Sequence, residues 1–85
     1  MATETHRTDQ QQQSAALLSA FWTAPGEAFF PPDVVALVLH VTPLTLAAQR
    51  WKREGLPWFR PGKIPLYRKG DVIAYIEGAR NEPKR

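Results

Sequence analysis

Seven of the eleven lysines and arginines in this 85-residue chain fall in one stretch, RWKREGLPWFRPGKIPLYRKGD from Arg50 to Asp71, against two acids. Guanidinium and ammonium groups at that density hold anions through charge-assisted hydrogen bonds. Arginine adds a planar fork that matches a phosphate or the edge of a guanine. Gln49, just upstream, carries the donor and acceptor pair that matches adenine. Bond-making chemistry has far less to work with. The chain has no cysteine, its serines are Ser14 and Ser19, and its histidines are His6 and His40. No nucleophile and base stand together in that set, and it is too sparse for a metal site of three or four ligands. There is no glycine-rich phosphate loop either. The sequence reads as that of a non-enzyme with no metal and no cofactor.

The charge is divided between the two parts of the chain. Residues 1–49 hold one basic residue against four acids, and residues 50–85 hold ten against four, within a net charge of +3. A positive half on a small protein suits a polyanion, and nucleic acid is the common one. The longest apolar run, Val34 to Leu39, is far short of the roughly 20 residues that span a bilayer. The polar N-terminus resembles neither a secretion signal nor a transit peptide. The expectation is a cytoplasmic protein with no membrane partner.

The elements that must position these cations can be read from pattern. Residues 1–13 end in four glutamines and carry few apolar side chains, so they are expected as a disordered tail. Residues 14–29 form an apolar segment, with Ser14 as a cap for an extra helix bearing Leu17, Leu18, Phe21 and Trp22. That helix either packs on the core or offers a contact surface for a partner or a second copy. Pro31, Pro32 and Asp33 suit the start of a first core helix, which His40 would end in a left-handed conformation. Thr42 and Pro43 then start a second helix, expected to run to Glu54 and to stop at Gly55. Leu44, Ala47, Ala48 and Trp51 recur at spacings of three and four, which makes them its packing face. Trp58–Arg60 and Ile64–Arg68 are expected as a hairpin about the turn Pro61-Gly62-Lys63, with Pro65 tolerated on an edge. Val72, Tyr75, Ile76 and Ala79 give the last amphipathic helix, and residues 80–85 form a basic tail. Trp51, Trp58, Phe59 and Tyr67 are expected in the core.

The order helix, tight turn, helix, basic hairpin, helix gives a mostly α fold with a small β-hairpin, a winged helix-turn-helix over residues 30–79. Several residues at fixed spacing also carry a resemblance. Val41-Thr42 lie at the turn, Trp51 four residues before Gly55, and Pro57 and Phe59 lead into the hairpin. Gly62 is at its tip, Tyr67 in the return strand, and Asp71 opens the last helix. In these positions the chain resembles the small winged-helix excisionases (recombination directionality factors) and AlpA-type regulators, similar in turn to the DNA-binding part of MerR-type proteins. The resemblance covers Phe30 to Gly78. It departs at His40, where the family has a turn glycine, at Pro65, and in a longer segment from Thr42 to Trp51.

On the residue types, Thr42, Thr45, Gln49, Arg50, Lys52, Arg53, Arg60, Lys63 and Arg68 are the expected DNA-binding residues. Gln49 and Arg53 would read bases, and Lys63 would hold the backbone. Leu17, Leu18, Phe21 and Trp22 are the expected self-association surface. The resemblance implies a non-catalytic excisionase that binds and bends attachment-site DNA cooperatively and steers an integrase or other recombinase toward excision. Two alternatives stand beside it: an AlpA-like transcription regulator, and a protein-interaction module such as an anti-repressor.

Overall fold

Neither proline nor glycine interrupts the chain between Ala2 and Thr23, and that stretch forms the longest helix, α1 (Ala2–Thr23). The computed structural model describes the backbone of residues 2–83 and the side chains of residues 11–83. Five further elements follow: β1 (Phe29–Phe30), α2 (Pro32–Leu39), α3 (Pro43–Trp51), β2 (Tyr67–Arg68) and α4 (Lys69–Gly78). The fold is mostly helical with a small two-stranded antiparallel sheet, in which Phe29 pairs with Arg68 and Phe30 with Tyr67.

Two expectations about the N-terminal part are corrected. Residues 2–13 continue α1 instead of forming a disordered tail, and Ser14 lies inside that helix and caps nothing. Gln and Ala are adequate helix formers, and a helix nucleated by docking at its C-terminal end extends at little cost per residue. The docking residue is Phe21. It is 0% exposed and its ring lies 5.0 Å from that of Phe30 and 5.1 Å from that of Trp22. Phe21 therefore belongs to the core, with Leu18 packed against it, while Leu17 and Trp22 remain exposed.

The end of α1 and the loop that follows it hold the start of α4. Lys69 donates from Nζ to the carbonyls of Trp22 (3.0 Å) and Ala24 (2.7 Å), a cation at the negative end of α1. In return the N–H groups of Lys69 and Gly70, which open α4, donate to the carbonyls of Ala28 and Gly26. Gly70 permits that approach, since a β-carbon there would lie 3.3 Å from the Gly26 carbonyl oxygen.

Val34, Val35, Ala36 and Val38 of α2 are buried with Phe21, Leu46, Leu56, Tyr67 and Val72. His40 ends α2 at φ 59°, as its position implies, and the N–H groups of His40 and Val41 close back on Leu37 and Ala36. Thr42 then caps α3, accepting at Oγ1 from the Thr45 N–H at 3.2 Å. Only three residues separate α2 from α3, and the chain bends by 106° between them. No helix among the described residues is long and apolar enough to cross a membrane.

The hairpin is shorter than its residues imply. Phe59 and Leu66 form one bridge through two hydrogen bonds of 2.8 and 2.7 Å, and residues 60–65 make the loop. Beyond Leu66 the return strand leaves Phe59's side and pairs with β1, a partner that the local pattern does not reveal. Residues 84 and 85 of the expected basic tail lie outside the described residues.

The burial of Phe21 makes a direct expectation. Phe21→Ala is expected to cost about 3–5 kcal/mol, the range for a truncated core aromatic. A chain lacking residues 2–13 is expected to keep its urea midpoint. Equal losses in the two variants would mean that the polar part of α1 also contributes to the core.

Candidate nucleic-acid interface

The cations of the basic stretch fall into two groups once their partners are counted. Arg50 donates from Nη1 to the Tyr67 hydroxyl at 2.6 Å, and its guanidinium lies 5.7 Å from the centroid of Trp58. Tyr67 is 1% exposed, so this bond gives the hydroxyl of a buried residue its partner. Arg68 pairs with Asp71 at 3.1 Å, and Lys69 is spent on the end of α1. Lys52, Arg53, Arg60 and Lys63 are exposed and form no ion pair among the described residues. These four form the cationic part of the site.

Two come from the end of α3. The helix stops at Trp51, three residues earlier than expected, because Arg53 takes the left-handed conformation at φ 60°. The N–H groups of Arg53 and Glu54 then close on the carbonyls of Arg50 and Gln49, so the C-terminal carbonyls are satisfied without glycine. Gly55 also has positive φ, at 77°, and a β-carbon on it would lie 2.5 Å from Gln49 Oε1. The Gln49 side chain is thus held against Gly55, half-buried, in a groove with Leu46, Tyr75 and Ile76. It does not lie on the exposed face of α3 as a base-reading residue would.

The rotation of α3 about its axis is the main correction. Leu46 is the buried residue of this helix, at 1% exposure, while Leu44 is 78% and Trp51 86% exposed. The face expected to pack is the one turned to solvent. Leu44, Ala48 and Trp51 lie opposite Leu46, with Thr45 and Lys52 beside them. Trp58 and Phe59 are also more exposed than a core position implies, and only Tyr67 of the four expected aromatics is buried. The pattern 44/47/48/51 contains more apolar residues than the one around Leu46. In a nine-residue helix, however, that count decides less than the fit of one leucine against α2.

The loop of residues 60–65 brings the other two cations. Arg60 lies over the ring of Trp58 at 5.9 Å, and Lys63 is exposed beside Ile64 at the tip. Ala47, Arg50, Trp51, Trp58 and Arg60 line one cleft of about 220 Å³ between α3 and this loop. That is below the roughly 300–1,000 Å³ typical of small-molecule sites, and its cations and indoles suit a surface phosphate better than an enclosed substrate. Thr42 and Thr45 sit at the start of α3, their hydroxyls 3.0 Å apart. Among the described residues, no three His, Asp or Glu side chains converge as metal ligands would.

Comparison with protein-family models, with characterised proteins and with solved structures finds no match to this chain.

The commitment of Arg50 has a measurable consequence. Arg50→Ala is expected to destabilise the fold by about 1.5–3 kcal/mol in urea unfolding, the range for a hydrogen bond to a charged group. Tyr67→Phe removes the same bond, so its effect in the Arg50→Ala background is expected to be much smaller than in the parent. Additive losses would show that the two residues act apart.

Proposed function

We propose that this chain is a non-catalytic, double-stranded DNA-binding protein with a winged helix-turn-helix, used as an excisionase that biases a recombinase toward excision. The observation that carries the DNA-binding reading is the exposed face of α3, with Lys52 and Arg53 at its end and Arg60 across the cleft beside it, Lys63 lying on the same loop as Arg60. A bend of 106° after a three-residue turn falls in the range of helix pairs that present their second helix to the major groove. In this reading α3 enters the groove, Lys52 and Arg53 meet the backbone at its C-terminal end, and Arg60 and Lys63 follow the adjacent phosphates. The excisionase use rests on the resemblance of the turn, hairpin and last-helix residues. Leu17 and Trp22, exposed on α1, are the side chains through which copies on neighbouring sites would touch.

The four cations that form no ion pair among the described residues set the salt response. The affinity for duplex DNA is expected to fall with a log–log slope of about −3 to −4, at roughly −0.9 for each phosphate neutralised. Lys63→Ala is expected to make that slope shallower by about one unit while weakening all sequences alike. Binding that ignores salt would contradict the interface. An integrase-dependent excision assay with and without the protein tests the biological use. Site-specific binding with no effect on excision would transfer the same fold to a promoter-bound regulator.

A further inference from the structure

We infer that α3 reads its site through the 5-methyl groups of thymine, with Leu44, Ala48 and Trp51 as the specificity-determining residues. The inference rests on the DNA-binding reading and names what that surface recognises. Its starting point is the imbalance on the exposed face of α3. Leu44 and Trp51 are among the most exposed large apolar side chains of the protein, at one face with Ala48 and opposite the buried Leu46.

Most polar side chains of the helix that could read bases have other partners. Gln49 is held against Gly55, Arg50 donates to Tyr67, the Thr42 and Thr45 hydroxyls lie within hydrogen-bond distance of each other, and Arg53 lies past the end of the helix. The face retains the Trp51 indole N–H and the Lys52 ammonium at one end and the Thr45 hydroxyl at its edge, and otherwise presents hydrocarbon. On the major-groove edge of a base pair, the thymine methyl is the apolar group that such a surface can cover. From Leu44 to Trp51 the helix rises about 10 Å, close to the rise of three base pairs. The unpaired cations beside this face complement the flanking phosphates, which favours duplex DNA as its occupant over an apolar protein surface.

The test uses the full chain. Duplexes are selected from a random pool, and thymine in the selected site is then replaced by uracil, which removes the methyl and leaves pairing and phosphates intact. Selected sites are expected to carry A·T pairs over about three adjacent positions. Each contacted methyl removed is expected to weaken binding about fourfold, the value for one buried methylene-sized group. Leu44→Ala and Trp51→Ala, both at exposed positions, are expected to abolish the difference between thymine and uracil while the salt slope stays unchanged. Salt-dependent binding that is indifferent to uracil, or a G·C-rich selected site, would overturn the methyl readout and leave DNA binding standing. Absence of duplex binding even at low salt, including the case in which the face captures a protein instead, would overturn both.

Discussion

The hydrogen bond from Arg50 to the Tyr67 hydroxyl is the joint on which the geometry of the site depends. It ties α3 to β2, and with Leu46 buried nearby it fixes how α3 is rotated. Tyr67 pairs with Phe30 across the small sheet, and Phe30 packs on Phe21 of α1. One run of contacts therefore joins the exposed helix, the sheet and the N-terminal helix. A buried tyrosine hydroxyl left without its partner costs about 1–3 kcal/mol, which adds to the burial of Leu46 in holding this rotation.

The same economy of partners explains where the positive charge is free. A sequence counts cations, but a fold assigns them. Lys69 neutralises the end of α1, Arg68 meets Asp71, and Arg50 supports Tyr67 and Trp58. What remains for a polyanion is one cluster from the end of α3 and one from the loop between Phe59 and Leu66. The Lys69 cap on the end of α1, with the carbonyls of Gly26 and Ala28 accepting from the start of α4, keeps the N-terminal helix on the same core as α2, although its first half is polar.

Much of this architecture is legible in the residues. Thr42-Pro43 as a helix start, His40 as a left-handed terminus, and the last helix from Asp71 onward follow from local chemistry, which acts within a few residues. What fails are features decided over distance. The pairing of Phe29–Phe30 with Tyr67–Arg68 joins segments almost forty positions apart, and no turn signal announces it. The burial of Phe21 depends on that sheet. The rotation of α3 depends on the competition between one stripe of four apolar residues and a single well-fitted leucine. For the site, the cations were visible as a group, but the roles of Gln49, Arg50 and Arg68 depended on Gly55, Tyr67 and Asp71. Leu44 and Trp51 were visible as apolar residues and assigned to the wrong side.

The central claim is that duplex DNA lies against the exposed face of α3 and the loop beside it. The three tryptophans sample the relevant surfaces, since Trp51 is on that face, Trp58 lines the cleft and Trp22 is on α1. Their indole N–H signals can be followed by heteronuclear NMR as a duplex is added at low salt. The account predicts a large shift for Trp51, a smaller one for Trp58, and none for Trp22 on a duplex that holds a single site. A shift confined to Trp22, or an unmoved Trp51 in a saturated complex, would contradict it.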